Sequence, residues 1–310
     1  MKEIDFNFED FNLSDHELLS SNMNYVARIK GIGVIKITPP GGALARFPNI
    51  KLFEDRILRD LIFNNYCKIC PEVLNFDLSK RYFLMEDLGS NDLRTLLRSA
   101  DADTATKLID KLSLLFQKLD TFYDQQKDLP EIFQDENPLV KDHYAHIFVY
   151  PLFNHELVTK IWSDINLPQS QIAVLTSDYK EIKSLNIEKM DLSLLNSNTL
   201  IHGDLHTGSV IHHKSKFYLI DGEFAHLANR DFDLGMFFAN LLIDLTLSDN
   251  DLTLLNGIKL RLSKTALFVA LFELVRQMIG VSFSINPESR KSRKELILQI
   301  ENIKASLSES

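Results

Sequence analysis

Hydrophobic and polar positions follow two different patterns along the chain, and the change comes near residue 88. The run MNYVARIKGIGVIKI, at 23–37, is rich in β-branched residues on both sides of a Lys-Gly turn, which predicts two strands. The run RYFLMEDL, at 81–88, predicts a further strand. Between them, 48–66 predicts a helix, because apolar side chains recur there at helical spacing: Phe53, Ile57, Leu58, Leu61 and Ile62.

The second part of the chain has the periodicity of helices. Residues 104–123 place their apolar positions on one face of a helix. Residues 265–281 are apolar nearly all round, which is typical of a buried helix. Residues 289–307 predict a final amphipathic helix with a basic start.

The two patterns divide the chain into two lobes. We predict an α+β fold with a small β-rich N-lobe at 1–88 and a larger, mainly helical C-lobe at 89–310. A strand-like hinge at 85–89 joins them. The cleft between two such lobes is the natural place for a ligand.

Composition and charge narrow the class of protein. The 310 residues carry a formal net charge of -9, and a negative field repels nucleic acid and anionic membranes, so we expect neither as a partner. The acidic N-terminus is not typical of a secretory signal, and the longest apolar run is too short to span a bilayer. We therefore expect a cytoplasmic protein. The pair Cys67 and Cys70 lacks further zinc ligands nearby, which favours two small side chains at a helix end.

The run IHGDLHTGSVIHHKSKFYLIDGEF, at 201–224, concentrates the polar chemistry of the chain. Two short β-prone segments, at 210–212 and 217–220, flank a polar turn at 213–216 and predict a hairpin. A hairpin brings the segments before and after it to the same end. Four oxygen-bearing side chains would then converge, and such hard ligands suit Mg²⁺ and phosphate: Asp204, Ser209, Asp221 and Glu223.

The histidines of the same run offer an alternative. His202 and His206 flank Asp204 in the pattern H-x-D-x-H, which leaves a zinc hydrolase open. His212 and His213 lie at the far end of the predicted hairpin and are too remote to complete the ligand set.

Several motifs together resemble those of a known group of enzymes. HGDLHTGS, IDGEF and FDLG resemble the catalytic region of the small-molecule kinases with the protein-kinase-like fold, the aminoglycoside phosphotransferase and choline kinase group. The serine of HGDLHTGS makes the chain more similar to methylthioribose kinases. SNMNYVARI, LMEDL, FDLGMFFANLL and LVRQMIGV resemble flanking segments of that family, so the resemblance extends from about residue 21 to 281.

The resemblance implies an ATP- and Mg²⁺-dependent kinase and gives the C-lobe residues their roles. Asp204 would act as catalytic base or would position the acceptor, and Asp221 and Glu223 would hold Mg²⁺. Ser209 is a weaker metal ligand candidate. Two residues would support the loop: His202 as a brace and Asp233 as an acceptor of hydrogen bonds from the loop backbone.

The resemblance also implies a nucleotide site in the N-lobe. Lys36 would grip the α- and β-phosphates together with Glu54, although the neighbouring Asp55 leaves room for a shift of one position. The loop SSNMNY would approach phosphate through Asn22 and Asn24. The backbone from Met85 to Leu88 would contact adenine, which includes Glu86 and Leu88.

The acceptor site is the part in which the sequence departs from the family. Family members bring two adjacent arginines toward methylthioribose, whereas this chain has Arg276 and Gln277. Arg230 could restore the missing charge or be an exposed loop residue. The expected partners are ATP and a small hydroxylated molecule, first of all 5-methylthioribose at its anomeric hydroxyl. Another sugar, an aminoglycoside or an amino alcohol is the alternative acceptor, a nucleotide-binding pseudokinase is the alternative class, and a homodimer is open.

Overall fold

An antiparallel sheet forms the N-terminal part of the protein. The computed structural model describes residues 16–20, 24–38, 56–133, 144–164, 167–279 and 290–308. The sheet has the strand order β1-β2-β3-β5-β4, with the bounds His16–Ser20 (β1), Tyr25–Ile29 (β2), Gly33–Ile37 (β3), Val73–Asp77 (β4) and Tyr82–Met85 (β5). The predicted strands on both sides of the Lys-Gly turn are thus β2 and β3, and Gly31 takes the positive φ of 75° that the turn requires.

Helix α1, Arg56–Tyr66, packs on one face of this sheet. Its Ile57 and Leu61 join Val34 and Met85 in a small apolar cluster. Because side chains alternate along a strand, Lys36 shares the α1 face with Val34, whereas Ile35 and Ile37 form a second cluster on the other face. The first part of the predicted helix, 48–55, lies outside the described residues.

The rest of the chain is mainly helical, as the pattern predicted. The helices are α2 (Leu93–Ser99), α3 (Ala102–Asp124), α4 (Tyr150–Phe153), α5 (His155–Asp164), α6 (Gln169–Ser184), α7 (Asp231–Leu247), α8 (Asn256–Lys259), α9 (Lys264–Met278) and α10 (Arg290–Ser308). Helices α7 and α9 are buried over most of their length and form the centre of the large core. Within the described ranges, no helix is long and apolar enough to cross a membrane.

Two short strand pairs shape the region between α6 and α7. Strands β7 (Val210–His213) and β8 (Lys216–Leu219) form the predicted hairpin, and β6 (Leu200–Ile201) pairs with β9 (His226–Leu227). The hairpin turn is shorter than predicted, since His213 and Lys216 pair with each other and only Lys214 and Ser215 remain in the turn. Both turn residues have positive φ, 46° and 63°, which is the geometry of a two-residue hairpin turn.

The cysteine pair lies at the end of a helix, as the sequence predicted. Cys67 directly follows α1 and is buried, Cys70 is partly buried, and both are free thiols. The bilobal α+β architecture is confirmed, with the β-rich part first and the helical part after it. The loops at 202–209 and 221–224 lie on either side of the β7–β8 hairpin.

Candidate active site

The loop at 202–209 is held by a buried carboxylate at the start of α7. Asp233 accepts the backbone N–H of His202 at 2.7 Å and of Gly203 at 2.9 Å, and the hydroxyl of Tyr123 donates to it at 2.9 Å. Burial raises the pKa of Asp233, although His202 and these donors act in the opposite direction. The backbone contacts are those that the sequence analysis expected of Asp233.

His202 ties this loop to the strand that leads into the second loop. Its Nε2 donates to the carbonyl of Ile220 at 2.8 Å, and its ring packs edge-on against Phe63 of α1 with centroids 5.4 Å apart. Gly203 follows with φ of 82°, and a Cβ there would lie 2.1 Å from the carbonyl oxygen of Phe224. The two loops are therefore in backbone contact, and the absence of a side chain at residue 203 permits it.

Asp204 and His206 are adjacent in the part of this loop that is open to solvent. Asp204 Oδ2 lies 4.0 Å from His206 Nε2, and 29% of the Asp204 side chain is exposed. His206 Nδ1 accepts the N–H of Ser209 at 3.0 Å. Burial and the charge of Arg94 lower the pKa of His206, while Asp204 opposes them, so the neutral imidazole is favoured.

The Ser209 hydroxyl closes this small turn. It donates to the carbonyl of His206 at 2.7 Å and accepts the N–H of His206 at 3.0 Å, and the residue is fully buried. These bonds use the hydroxyl hydrogen and one of the two lone pairs of the oxygen. The predicted metal role of Ser209 stays a prediction, and its visible role is to cap the loop.

Asp221 and Glu223 come from the second loop. Lys36 Nζ donates to Asp221 Oδ1 at 2.7 Å and lies 3.6 Å from Glu223 Oε2. Asn24 Nδ2 donates to the same Glu223 oxygen at 2.8 Å. Asp221 has a left-handed φ of 65°, a sharp turn that an aspartate tolerates. The structure thus brings four of the predicted residues together from positions 24 to 223.

Asp60 of α1 is a member of this cluster that the sequence analysis did not name. Lys36 Nζ donates to its Oδ2 at 2.5 Å, and its Oδ1 accepts the N–H of Gly222 at 2.9 Å. Glu54, the predicted partner of Lys36, lies outside the described residues. Asp60 is fully buried on the α1 face that packs on the sheet, so a charged residue between apolar positions Ile57 and Leu61 was the available signal.

The pKa values in this cluster follow from its crowding. Burial alone would lower the pKa of Lys36, but attraction to Asp221, Asp60 and Glu223 raises it well above its usual range. Burial tends to raise the pKa of Asp221, and the neighbouring Lys36 and histidines bring it below its usual range. Burial raises the pKa of Asp60, which its bond to Lys36 opposes. Lys36 is therefore a permanent cation at neutral pH.

The second loop fits Mg²⁺ together with phosphate better than a metal bound by protein alone. In the described part of the chain, no three His, Cys, Asp or Glu side chains are grouped to hold a metal ion. Asp221 and Glu223 supply carboxylate oxygens, and about half of the Asp221 side chain is exposed, at 48%. Mg²⁺ is usually held by one or two carboxylates and completed by water and phosphate oxygens. Among the described residues, His202, His206 and Asp204 are not joined by a further side chain into a zinc site.

Glu273 is a second buried carboxylate that the sequence analysis missed. It has no exposed surface, and Arg276 donates to it twice, from Nε at 2.7 Å and from Nη2 at 2.8 Å. Gln277 Nε2 donates to it at 2.7 Å, so the amide that was expected to face the acceptor faces Glu273 instead. Burial tends to lower the pKa of Arg276, whereas Glu273 and, more weakly, Asp204 raise it.

Arg230 does not restore a charge at this site. Its Nη1 donates to Asp124 at 3.1 Å and lies 3.7 Å from Asp120, both on α3, and the side chain is well exposed. Of the two accounts of Arg230, the exposed loop residue is the one that the contacts match.

The expected nucleotide contacts of the N-lobe are visible only in part. Asn24 is buried, and its Oδ1 accepts the hydroxyl of Thr38 at 2.9 Å, while Asn22 lies outside the described residues. Glu86 is exposed, and its N–H donates to the carbonyl of Glu72 at 2.8 Å. Leu88 is buried. Their adenine contacts stay predictions.

Two solved structures share this fold. A choline kinase from Cryptosporidium parvum Iowa II superposes with a TM-score of 0.53 and 13% identity, over 98% of this chain and 93% of that one. A choline/ethanolamine kinase family protein from Mesorhizobium loti superposes with a TM-score of 0.50 and 12% identity, over 94% and 89%. At such identities the likeness shows the fold alone, and it confirms a protein-kinase-like fold.

The sequence comparison defines the family more narrowly. The pattern of the phosphotransferase enzyme family matches residues 20–251, and the chain belongs to this family. A methylthioribose kinase from Geobacillus sp. (strain WCH70) is 28% identical over 249 residues, which cover 75% of this chain and 60% of that protein. The chain thus spans less than two thirds of the length of this relative. The resemblance seen in the motifs is confirmed.

Proposed function

We propose that the protein is an ATP- and Mg²⁺-dependent kinase of a small hydroxylated molecule, with 5-methylthioribose phosphorylated at its anomeric hydroxyl as the leading reaction. One observation carries the proposal. The backbone contact between Gly203 and Phe224 holds Asp204 beside the loop that bears Asp221 and Glu223, with Lys36 already bound to the latter loop. The proposed base and the proposed phosphate-binding residues would thereby face one cleft, which is what phosphoryl transfer requires.

Asp204 would orient the acceptor hydroxyl and take its proton as the oxygen bonds to the γ-phosphorus of ATP. The bond from that phosphorus to the β,γ-bridging oxygen breaks, and ADP leaves. Lys36 would hold phosphate oxygens, and Asp60 would keep its amine in place. Mg²⁺, held by Asp221 and Glu223 when bound, would neutralise phosphate charge. The predicted hinge at 85–89, which begins at the last residue of β5, would contact adenine.

Methylthioribose is the leading acceptor because a methylthioribose kinase is among the proteins most similar in sequence. The Geobacillus methylthioribose kinase aligns over three quarters of this chain. The choline kinase neighbours share the fold at 13% identity or less and do not favour choline. The proposal holds equally for a monomer and for a homodimer.

The test is an acceptor panel with ATP and Mg²⁺. Purified protein is incubated with 5-methylthioribose, ribose, kanamycin or choline, and ADP is followed by a coupled assay, with the product identified by phosphorus NMR. We expect turnover of 5-methylthioribose that stops when EDTA is added. Turnover of kanamycin or choline alone would replace the acceptor but keep the kinase, whereas nucleotide binding without any turnover would favour the pseudokinase.

A further inference from the structure

Arg94 of α2 packs directly on the loop that carries Asp204. Its guanidinium carbon lies 3.1 Å and its Nη1 3.2 Å from the position that a Cβ would take at Gly208. A side chain at residue 208 would therefore push the guanidinium away. Arg94 belongs to the segment NDLRTLLRS, at 91–99, in which no motif sets it apart from an ordinary helical arginine.

The hydrogen bonds of Arg94 are incomplete. Its Nη2 donates to Asn240 Oδ1 at 3.5 Å, and its buried Nε finds no acceptor in the part of the chain that the structure describes. Arg98, one turn further along α2, differs, since its Nε donates to Asp244 at 2.7 Å. Within the described ranges, no carboxylate lies at ion-pair distance from Arg94, although the charge of Asp244 acts on it, so its Nε is left as a donor for a ligand.

Arg94 also lies close to the neighbour of Asp204. The His206 ring and the Arg94 guanidinium both lie beside Gly208, His206 Nε2 is 4.0 Å from Asp204 Oδ2, and the charge of Arg94 contributes to the lowered pKa of His206. Asn240, the neighbour of Arg94, donates to Glu273 at 3.4 Å, and Glu273 holds Arg276. The two guanidiniums therefore belong to one connected group of side chains from α2, α7 and α9 that surrounds the catalytic loop.

We propose that Arg94 binds the acceptor by donating hydrogen bonds to its oxygen atoms, and that this side of the cleft selects an acceptor bearing hydroxyl oxygens rather than an ammonium group. The inference rests on the proposed phosphotransfer function of the same cleft. Arginine presents several donors in one plane, which suits vicinal hydroxyls. An ammonium group would lie beside a guanidinium of the same sign, which repels it.

The experiment compares Arg94→Met, Arg94→Lys and the control Arg230→Met, whose side chain contacts α3 away from the cleft. Steady-state kinetics are measured with 5-methylthioribose and with ATP as the varied substrate, beside ATP hydrolysis without acceptor and the melting temperature. We expect Arg94→Met to lower kcat/KM for the acceptor by about 10- to 100-fold, the usual effect of losing a charged hydrogen bond. The KM for ATP and the hydrolysis without acceptor stay unchanged, and Arg94→Lys recovers part of the loss.

Three outcomes contradict the inference. They are an unchanged kcat/KM in Arg94→Met, an equal loss for acceptor and ATP, and a wild-type preference for kanamycin or choline over neutral sugars. The last would leave the kinase proposal intact. If wild type phosphorylates nothing, the proposed function fails, and calorimetry with 5-methylthioribose then decides Arg94: weaker binding to Arg94→Met supports it, and equal or absent binding in both overturns it.

Discussion

The phosphate side and the acceptor side of the cleft hold similar numbers of charged side chains, but the first has a surplus of negative charge and the second a surplus of positive charge. On the phosphate side, three carboxylates face two cations: Asp60, Asp221 and Glu223 with Lys36 and Arg56. On the acceptor side, three guanidiniums face two carboxylates: Arg94, Arg98 and Arg276 with Asp244 and Glu273. A surplus of negative charge favours the binding of a divalent cation, and a surplus of positive charge favours the binding of oxygen atoms. The first side therefore suits a nucleotide with Mg²⁺, and the second side suits a hydroxylated acceptor.

Asp204, between the two sides, gives the largest expected effect. Asp204→Asn keeps the shape of the side chain but removes the base, so kcat should fall by about 10²- to 10⁴-fold. The rate of ADP formation with 5-methylthioribose measures it, and circular dichroism checks the fold. A rate within a few-fold of wild type would show that phosphoryl transfer does not depend on this carboxylate.

Asp60→Ala removes one carboxylate from the phosphate side. Lys36 and the Gly222 N–H then lose their buried partner, and we expect the free energy of unfolding to fall by about 3–5 kcal/mol and the KM for ATP to rise. Urea denaturation and ATP kinetics measure the two effects. Glu301→Ala, an exposed carboxylate on α10, is the control and should leave both unchanged. A loss of stability in the control as large as in Asp60→Ala would remove the argument.

Glu273→Gln increases the positive surplus on the acceptor side. The amide cannot hold Arg276 as the carboxylate does, so stability should fall by about 1–3 kcal/mol and the KM for the acceptor should rise. The KM for ATP should stay close to wild type, because the phosphate side is untouched. Equal increases in both KM values would mean that the two sides are not independent.

The smallest effect is a dependence on pH through His206. Its folded pKa is below the usual value near 6.5, so folding favours the neutral ring. This contribution to stability is complete above about pH 6.5, the unfolded pKa, and is lost as the pH falls through the folded pKa. Protonation would put a hydrogen on Nδ1 and break its bond with the Ser209 N–H. Unfolding between pH 5 and 8 should show this loss (roughly the range over which histidine titrates), and His206→Asn should reduce it. An unchanged pH profile in that variant would assign the loss to other groups.

The sequence predicted the parts of the fold and site that depend on local pattern. Strands β2 and β3, helix α3 and the β7–β8 hairpin follow from periodicity and turn residues. The nearness of the loops that carry Asp204 and Asp221 could be predicted because the motif that contains both residues is contiguous. A local signal sufficed, since the hairpin alone brings the two loops to one end.

The residues that sequence reasoning missed owe their positions to tertiary packing. Asp60 meets Gly222 across 162 positions, and Arg94 meets Asn240 across 146. A charge between the apolar positions Ile57 and Leu61 was a weak signal for Asp60, and no pattern along α2 distinguishes Arg94 from an ordinary charged residue. Gln277 is the opposite case, a residue that was predicted to face the acceptor. Its buried hydrogen bond to Glu273 depends on the rotation of α9 within the core, which the sequence does not show. The charge balance of the two sides can be counted only when both residues of each ion pair and hydrogen bond are known.

The bond between Asp60 and the Gly222 amide has a consequence for measuring motion. This amide hydrogen is donated by the C-lobe to a carboxylate of the N-lobe helix, and Phe63 of the same helix lies within 2.3 Å of where a Cβ would stand at Gly222. Solvent can reach the hydrogen only when α1 separates from the loop. The rate at which it exchanges for deuterium therefore reports how often the two lobes part, and bound nucleotide should slow that exchange.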